Sequence, residues 1–277
     1  MNNMQGRTVF ITGGSRGIGR AIALKAAQAG ANVVIAAKTE VETTKLTGTI
    51  YSVAEEIEAA GGKALPLLLD VRDEQQIHTA IQQAAKAFGG IDVLINNAGK
   101  SAQALLSEVK DLSWYEDLMR VNFWGSVWCT HAALPYLKQS RGSIVAVSSL
   151  AGLVGVPGRN AYSATKFAMN GFFEALRAEM KESGVSVTIA YPGVVATEIR
   201  YRGYNADGAA AGSSGLKEDD AMSVQECADL IIRGMEKRQR DVVMGVKGKL
   251  GRWLKLLFPS LVERMALAAL KQEVRPH

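Results

Sequence analysis

A serine, a tyrosine and a lysine in this sequence have the spacing of an acid–base site. Tyr162 and Lys166 stand four residues apart in a helical pattern, so their side chains share one helix face. An ammonium beside a tyrosine stabilises phenolate and predicts a tyrosine pKa below its usual value of about 10. Ser149 precedes the tyrosine by thirteen residues and ends a short apolar run. The three groups predict proton transfer at an oxygen atom, with Tyr162 as acid or base and Ser149 stabilising the oxygen's charge.

Two ambiguities accompany this interpretation. A tyrosine and a lysine four residues apart also occur on ordinary helix surfaces, so the pair depends on support from other motifs. Ser148 and Ser149 are adjacent, and strand alternation directs only one of them toward the site.

A glycine-rich loop near the N-terminus predicts a dinucleotide site. It follows an apolar strand pattern, precedes an alanine-rich helix and has the spacing G-x-x-x-G-x-G. Glycines let backbone N–H groups approach a pyrophosphate, and the helix N-terminus favours an anion. The candidate cofactor contacts in this loop are Gly13, Ser15, Arg16, Gly17, Ile18 and Gly19.

The residue at the end of the second strand pattern predicts which nicotinamide dinucleotide is used. Sites for NAD(H) usually have Asp or Glu there to bind the ribose 2′-hydroxyl, but this chain has Lys38. With Arg16, Lys38 would pair with a 2′-phosphate, which favours NADP(H). The alternative is that Arg16 and Lys38 are solvated surface charges without a ligand, and the acidic Glu40 two residues after Lys38 is compatible with it. Asp70 is placed to accept a hydrogen bond from the adenine amino group or to cap the turn toward Asp73.

Alternating short apolar runs and amphipathic stretches must position these residues, and they predict an α/β, Rossmann-type doubly wound parallel sheet of seven strands. The predicted strands are residues 8–12, 32–37, 64–70, 93–95, 143–148, 186–191 and 241–244. The predicted helices are residues 17–28, 50–60, 74–88, 113–138, 160–183 and 223–238. Helix starts are indicated by Asp73, Ser113 and Ser223, and helix ends by Gly30, Gly61, Gly89 and Gly184.

Together with Asn96-Asn97-Ala98-Gly99 after the fourth strand, these motifs resemble those of the short-chain dehydrogenase/reductase family up to about Met244. The resemblance implies an oxidoreductase in which Asn122 completes a Ser/Tyr/Lys/Asn tetrad by holding a relay water through its backbone. It implies that Lys166 also binds the nicotinamide ribose and that Asn97 steadies the sheet. It places further cofactor contacts at Val71, Ala98, Gly99, Pro192, Gly193, Val195 and Thr197.

Two subgroups of the family are represented. AAKT at 36–39 and GTIY at 48–51 resemble hydroxysteroid dehydrogenase-like proteins. VSSLAG at 147–152 and AYSATKFA at 161–168 resemble 11β-hydroxysteroid-dehydrogenase-like reductases. A natural origin and a chimeric or engineered origin both fit this mixture.

The predicted substrate pocket is mostly apolar, which favours a steroid-, retinoid- or lipid-like carbonyl or alcohol. Its apolar candidates are Leu105, Leu153, Val154, Val156, Ile199 and Tyr201. Arg159, Arg200 and Arg202 could bind an anionic group of the substrate, such as the phosphopantetheine of an acyl carrier. A β-ketoacyl reductase is therefore the alternative. A catalytically idle NADP(H)-binding scaffold is a third hypothesis. Residues 203–218, rich in Gly, Ala and Ser, predict a mobile loop that is either a linker or a lid over the substrate.

The chain is predicted to consist of a catalytic domain, residues 1–247, and a basic amphipathic extension, residues 248–277, with a helical run at 260–271. Residues 233–277 carry 11 Lys/Arg and 4 Asp/Glu, whereas residues 1–232 have a net charge of −2. The extension fits peripheral contact with an anionic membrane, and it equally fits packing on the sheet edge, the pocket or a partner subunit. A membrane-attached interaction protein with a structural dehydrogenase body is a further hypothesis.

Composition excludes several other classes. Three histidines without metal-ligand spacing and two distant cysteines predict neither a metal site nor a disulfide framework. One basic end without a basic stripe argues against nucleic-acid binding. No secretory signal is recognisable at the N-terminus, so we expect a cytoplasmic protein, or one peripheral to a membrane. By resemblance, we expect the helices at 113–138 and 160–183 to pair copies into a homodimer or homotetramer.

Overall fold

The computed structural model describes residues 4–41, 48–214 and 221–273, and within these ranges seven parallel strands form one sheet. Its order is β3-β2-β1-β4-β5-β6-β7. The strands are β1 Thr8–Thr12, β2 Asn32–Ala37, β3 Lys63–Leu68, β4 Val93–Asn96, β5 Ser143–Val147, β6 Ser186–Tyr191 and β7 Asp241–Val243. The predicted doubly wound sheet is therefore confirmed, with boundaries within two residues of those expected.

Helices cover both faces of this sheet. Their bounds are α1 Gly17–Gln28, α2 Ile50–Ala59, α3 Glu74–Phe88, α4 Ser113–Met119, α5 Gly125–Ser140, α6 Asn160–Glu179, α7 Val224–Glu236, α8 Val246–Leu257 and α9 Pro259–Glu273. The core beneath one face includes residues of α1, α2 and α7, and the core beneath the other includes residues of α3, α5 and α6. In β1, Val9 and Ile11 face the first core and Phe10 faces the second, as expected for a strand buried on both faces.

The sequence signals for helix ends are mostly confirmed. The side chains of Asp73 and Ser223 accept hydrogen bonds from backbone N–H groups of the helices that they cap. Ser113 was wrongly predicted as a cap, because it is the first residue of α4 and donates its own N–H to the Asp111 carboxylate over 2.9 Å. The four glycines predicted at helix ends all have positive φ, a conformation that costs glycine little: Gly30, Gly61, Gly89 and Gly184.

The helix predicted at 113–138 contains an irregular turn. A π-helical turn at Arg120–Trp124 joins α4 to α5, and α5 continues to Ser140. Turns of this type are frequent at functional sites, and this one contains Asn122.

The strand order reverses between β1 and β4, which creates a crevice at the carboxyl ends of the strands. The glycine-rich loop follows β1 on one side of this crevice. The loop that contains Ser149 follows β5 on the other side, and α6 supplies Tyr162 and Lys166. The fold therefore brings the two predicted groups of site residues to one edge of the sheet.

Candidate active site

The glycine-rich loop is too tightly packed to carry side chains at two of its glycines. A Cβ on Gly19 would lie 2.2 Å from the Gly13 carbonyl oxygen and 2.5 Å from Asn97 Nδ2. Gly13 has a φ of +67° and lies against Ala98. The chain therefore turns closely over β4 at the N-terminus of α1, where backbone N–H groups can face an anion.

Thr12, which the sequence analysis did not single out, fixes this loop to the end of β4. Its hydroxyl accepts hydrogen bonds from the backbone N–H groups of Asn97 and Ala98, each over 3.0 Å. The Asn97 amide in turn donates to the carbonyl oxygens of Thr12 and Gly13, over 3.0 and 3.1 Å. Asn97 thus joins the loop to the central strands, which is the structural role that the family resemblance implies.

Two cations lie where β2 ends. Lys38 is exposed, and the neighbouring Thr39 hydroxyl accepts a hydrogen bond of 2.5 Å from Arg16 Nη2. Burial lowers the pKa of Arg16, and this shift outweighs the negative charge of Glu198, which raises the pKa. The loop and the strand end therefore place positive charge on the same side of the crevice.

Asp70 lies in a charged network that the sequence did not reveal. Arg72 binds both oxygens of the Asp70 carboxylate, and it also contacts Asp117 over 2.8 Å. The Arg72 hydrogen bond lowers the pKa of Asp70. The second Asp117 oxygen accepts a 2.5 Å hydrogen bond from the hydroxyl of Tyr204. This network connects the turn after β3 to the loop after β6.

The side chain of Ser149 interacts with the Tyr162 hydroxyl and favours its ionised form, and Ser149 Oγ accepts a hydrogen bond from the Ala151 N–H over 3.2 Å. Ser148 is buried and instead contacts the Asn170 amide oxygen over 2.7 Å. Of the two adjacent serines, Ser149 therefore faces the tyrosine, in agreement with the assignment from spacing.

Lys166 lies beneath the tyrosine ring, on the same face of α6. Its Nζ is 5.7 Å from the Tyr162 ring centroid and donates to the Val147 carbonyl oxygen over 2.9 Å. The side chain is buried, and this burial lowers its pKa to about 8.

The pKa of Tyr162 differs from the sequence prediction. We predicted a lowered value due to Lys166, but burial of the hydroxyl raises the pKa above its ordinary value. Arg159, the side chain of Ser149 and Arg200 oppose this shift without reversing it. The prediction was wrong because it omitted desolvation, which outweighs the nearby positive charges.

Asn122 is fully buried beside the lysine. Its side chain accepts a hydrogen bond from the Lys100 N–H and donates to the Lys100 carbonyl and to the Thr165 hydroxyl, over 2.8, 3.0 and 3.0 Å. Its own carbonyl oxygen accepts from the Ser126 hydroxyl over 3.1 Å. Asn122 therefore ties the π-helical turn to α6 and to the segment after β4.

The remaining predicted cofactor contacts border the same crevice or support it. Ser15 and Val71 are buried, and Ile18 packs against the core beneath α1. A Cβ on Gly99 would lie 3.8 Å from Lys166 Nζ. The segment after β6 approaches both sides of the crevice: Gly193 lies against Leu150, and Thr197 lies against Gly17. Pro192 accepts a hydrogen bond from Leu150, and Val195 is buried and bridged to Met222.

Tyr162 packs against an apolar cluster that includes Ala102, Ala104 and Trp114. The side chains predicted for the pocket are partly buried or exposed: Leu105, Leu153, Val154, Val156, Ile199 and Tyr201. The loop predicted to be mobile is held at Tyr204, whose N–H donates to Ser101 and whose carbonyl accepts from Gln103. Residues 215–218 of that prediction lie outside the described residues.

Other reactive groups lie away from this cleft. Cys129 and Cys227 are buried, and burial raises the pKa of each thiol to about 12. Over the described ranges, no cluster of three or more His, Cys, Asp or Glu is arranged to hold a metal ion. In the same part of the chain, no helix is both long enough and apolar enough to cross a membrane.

Comparison with known proteins identifies the family and agrees with the fold. The family model described as short chain dehydrogenase matches residues 7–206, which include the glycine-rich loop, Ser149, Tyr162 and Lys166. The chain belongs to the short-chain dehydrogenase/reductase family. Members of this family are oxidoreductases that use a nicotinamide cofactor and act on small molecules, and they commonly form oligomers.

Individual relatives are similar over different extents. Hydroxysteroid dehydrogenase-like protein 2 of Homo sapiens is 58% identical over 139 residues, which is 50% of this chain and 33% of that protein. The match therefore spans about a third of the curated relative. The predicted resemblance of the second half to 11β-hydroxysteroid-dehydrogenase-like reductases stays a prediction.

Solved structures match most of the chain. A dehydrogenase/reductase from Sinorhizobium meliloti has a TM-score of 0.70 and 33% identity, covering 84% of this chain and 89% of that one. A short-chain dehydrogenase/reductase from Burkholderia phymatum in complex with NAD has a TM-score of 0.79 and 24% identity, covering 94% of this chain and 96% of that one. The second likeness supports the fold alone.

Proposed function

We propose that this short-chain dehydrogenase/reductase interconverts a carbonyl and an alcohol on an apolar substrate with NADP(H), and that Tyr162 is its acid–base group. The observation that carries this proposal is the grouping of Tyr162 with buried Lys166, whose Nζ lies 5.7 Å from the tyrosine ring centroid, and with Ser149, which influences the tyrosine hydroxyl, at the sheet edge where the glycine-rich loop lies. Few other arrangements place a proton donor, an oxygen-stabilising hydroxyl and a cation next to a phosphate-binding turn.

The residues present fit a nicotinamide dinucleotide. The tight approach of Gly19 to Gly13 and Asn97 leaves the N–H groups at the start of α1 accessible to a pyrophosphate, which a Cβ there would prevent. When bound, the nicotinamide supplies or accepts the hydride. Arg16 and Lys38 would hold a 2′-phosphate, and this positive pair supports NADP(H) over NAD(H).

The proton chemistry follows from the environment of Tyr162. Because burial raises its pKa, the hydroxyl keeps its proton at neutral pH and can donate it to a carbonyl oxygen during reduction. Ser149 hydrogen-bonds the same oxygen and stabilises its developing negative charge. Arg159, whose Cζ lies 5.6 Å from the Tyr162 ring centroid, and Lys166 stabilise the phenolate that remains. The proposed site is therefore set for reduction near neutral pH.

An apolar substrate suits the cleft better than one with an anionic handle. Each guanidinium near the cleft contacts a protein group: Arg159 binds the Ser101 hydroxyl, Arg200 binds Ser214 and the Val195 carbonyl, and Arg202 binds Glu198. A steroid-, retinoid- or lipid-like carbonyl would instead contact the surrounding Leu, Val and Ile side chains.

A substrate panel tests the proposal. NADPH absorbance would be followed with the full chain and with steroid, retinoid, aliphatic and β-ketoacyl carbonyls. We expect turnover with at least one apolar class and none with β-ketoacyl thioesters. Turnover of the thioesters alone would make the β-ketoacyl reductase the better description. NADPH binding without oxidation of any carbonyl would favour the idle scaffold.

We also propose self-association through α5 and α6. Trp124, in the turn before α5, is 45% exposed and stacks on Trp128 of that helix, with the two ring centroids 5.7 Å apart. Exposed aromatic side chains are typical of subunit contacts. Light scattering should give the mass of a dimer or tetramer, and Trp124→Glu should lower it. A monomeric wild-type protein would contradict this.

A further inference from the structure

Helix α8 lies on the body with its polar side inward. Gly248, Arg252 and Lys255 share one face, and each contacts the body: Gly248 packs on Leu150, Arg252 pairs with Asp241 over 2.8 Å and Lys255 donates to the Leu153 carbonyl over 2.9 Å. Lys255 also lies 4.6 Å from the Phe167 ring centroid. The body therefore holds α8 through charged and small residues.

The opposite face of α8 is apolar and points away from the body. Val246, Leu250, Trp253 and Leu257 follow the spacing i, i+4, i+7, i+11, which places them in one stripe along the helix. They are 56% to 81% exposed. We call these four residues the outer stripe. A surface helix normally buries its apolar stripe, so the reversed orientation indicates a partner for this face.

The neighbouring residues extend the same apolar surface. Leu256 and Phe258 at the end of α8, and Leu261 and Met265 on α9, are also exposed. The apolar surface thus continues across the turn between the two helices, which contact each other.

The charges around the stripe favour one kind of partner. Helix α8 contains four Lys or Arg and no Asp or Glu. In a symmetric dimer the same patch meets itself, so two stripes would bring the exposed Lys249 of each copy close together with no acid of α8 to pair with it. An anionic lipid surface offers both an apolar layer for the stripe and negative headgroups for the cations, and tryptophan is favoured at that boundary.

We propose that the outer stripe of α8 binds this protein to the surface of an anionic membrane. The stripe inserts among the acyl chains near the headgroups while Lys249, which is exposed beside the stripe, contacts the phosphates. Because Leu150 and Leu153, one and four residues after Ser149, contact α8, the bound membrane lies beside the cleft. That position would supply lipid-dissolved substrates, a consequence that rests on the proposed function, whereas the binding itself does not.

Vesicle sedimentation of the full chain tests this inference without substrate or turnover. Vesicles of phosphatidylcholine alone would be compared with vesicles that also contain phosphatidylserine. We expect the wild-type protein to pellet with the second and largely to remain soluble with the first. Leu257→Glu should weaken binding by about tenfold or more, the loss expected when one leucine is no longer buried.

A matched control is Leu68→Glu, the same change at a residue that is 51% exposed at the end of edge strand β3. It should bind like the wild-type protein, and Lys249→Glu should weaken binding to the anionic vesicles. The inference is overturned if the wild-type protein binds neither vesicle, if it binds both equally, or if Leu257→Glu and Leu68→Glu behave alike. If the wild-type protein does not bind vesicles but Leu257→Glu changes the mass of the oligomer in light scattering, the partner of the outer stripe is a second copy of this chain.

Discussion

The two sides of the crevice are built in different ways. On the nucleotide side, Thr12, Gly13, Gly19 and Asn97 form a compact set of backbone contacts that leaves no space for added atoms. On the substrate side, Lys166 is buried and Tyr162 is partly buried, and burial shifts the pKa of both groups. Under the proposed function, the first side recognises the cofactor by shape, whereas the second sets the protonation of the reacting groups.

This comparison predicts different responses to mutation. Changes on the nucleotide side should act on binding and stability, because they disturb packed backbone. Changes on the substrate side should act on rate and pH dependence, because they alter charge at the reacting oxygen.

Gly19→Ala should have the largest effect on the nucleotide side. The added methyl group would collide with the Gly13 carbonyl and the Asn97 amide, so the loop must move. We expect NADPH affinity to fall by about a hundredfold, the equivalent of the cost of overpacking a tight site. Fluorescence titration with NADPH measures this. An unchanged affinity would show that the close approach is not needed for binding.

Lys38→Asp should exchange the cofactor preference. The substitution removes one charge-assisted hydrogen bond to the 2′-phosphate, so kcat/KM for NADPH should fall by about thirtyfold while that for NADH does not fall. Lys63→Asp is the matched control. Lys63 is also exposed, but it begins β3 and therefore lies at the amino ends of the strands, away from the carboxyl ends where Lys38 lies. Equal effects of the two substitutions would contradict a specific role of Lys38.

The pH dependence of reduction should report Lys166. Its pKa is about 8, whereas Tyr162 keeps its proton to higher pH. Because kcat/KM for NADPH reflects groups of the free enzyme, it should be level below pH 8 and then fall by about tenfold per pH unit as the ammonium loses its proton. In Lys166→Arg, which keeps its charge, this fall should disappear although the rate is lower. The same fall in the arginine variant would assign it to another group.

Gly171→Ala should have the smallest effect of these substitutions, and it should stabilise the fold instead of impairing the protein. Gly171 is exposed within α6, and a Cβ there would meet nothing within 4 Å. The change should raise the free energy of unfolding by about 0.4–1 kcal/mol, because alanine loses less conformational freedom in a helix. Denaturant unfolding measures it beside Gly19→Ala. Destabilisation at Gly171 would mean that this helix face is covered, which would support a subunit contact there.

Most of the sheet, and which candidate site residues lie at one edge of it, could be predicted from the sequence. Strand patterns such as 8–12 and 186–191 match the structure residue for residue, since a parallel sheet buried on both faces requires continuous apolar runs. The choice of Ser149 over Ser148 followed from the serine-to-tyrosine spacing of the family that the sequence resembles, and in the structure Ser148 is bonded to Asn170.

The features that the sequence did not reveal depend on residues far apart in the chain. The contact of Arg72 with Asp117 spans 45 positions, and no local pattern indicates it. The orientation of α8 was unpredictable because the usual rule turns apolar residues inward, whereas the ion pair of Arg252 with Asp241 holds the polar side inward. The direction of the Tyr162 pKa shift required its burial, which only the packed structure provides.

The most direct test of the account compares Tyr162→Phe with Tyr51→Phe on the carbonyl that the wild-type protein reduces best. Tyr51 is a tyrosine of α2 that is 46% exposed. We predict that Tyr162→Phe binds NADPH normally but oxidises it at least about a thousandfold more slowly, the loss expected for a missing general acid, while Tyr51→Phe is unaffected. Turnover by Tyr162→Phe at a rate near that of the wild-type protein would contradict the assignment of Tyr162 as the acid–base group.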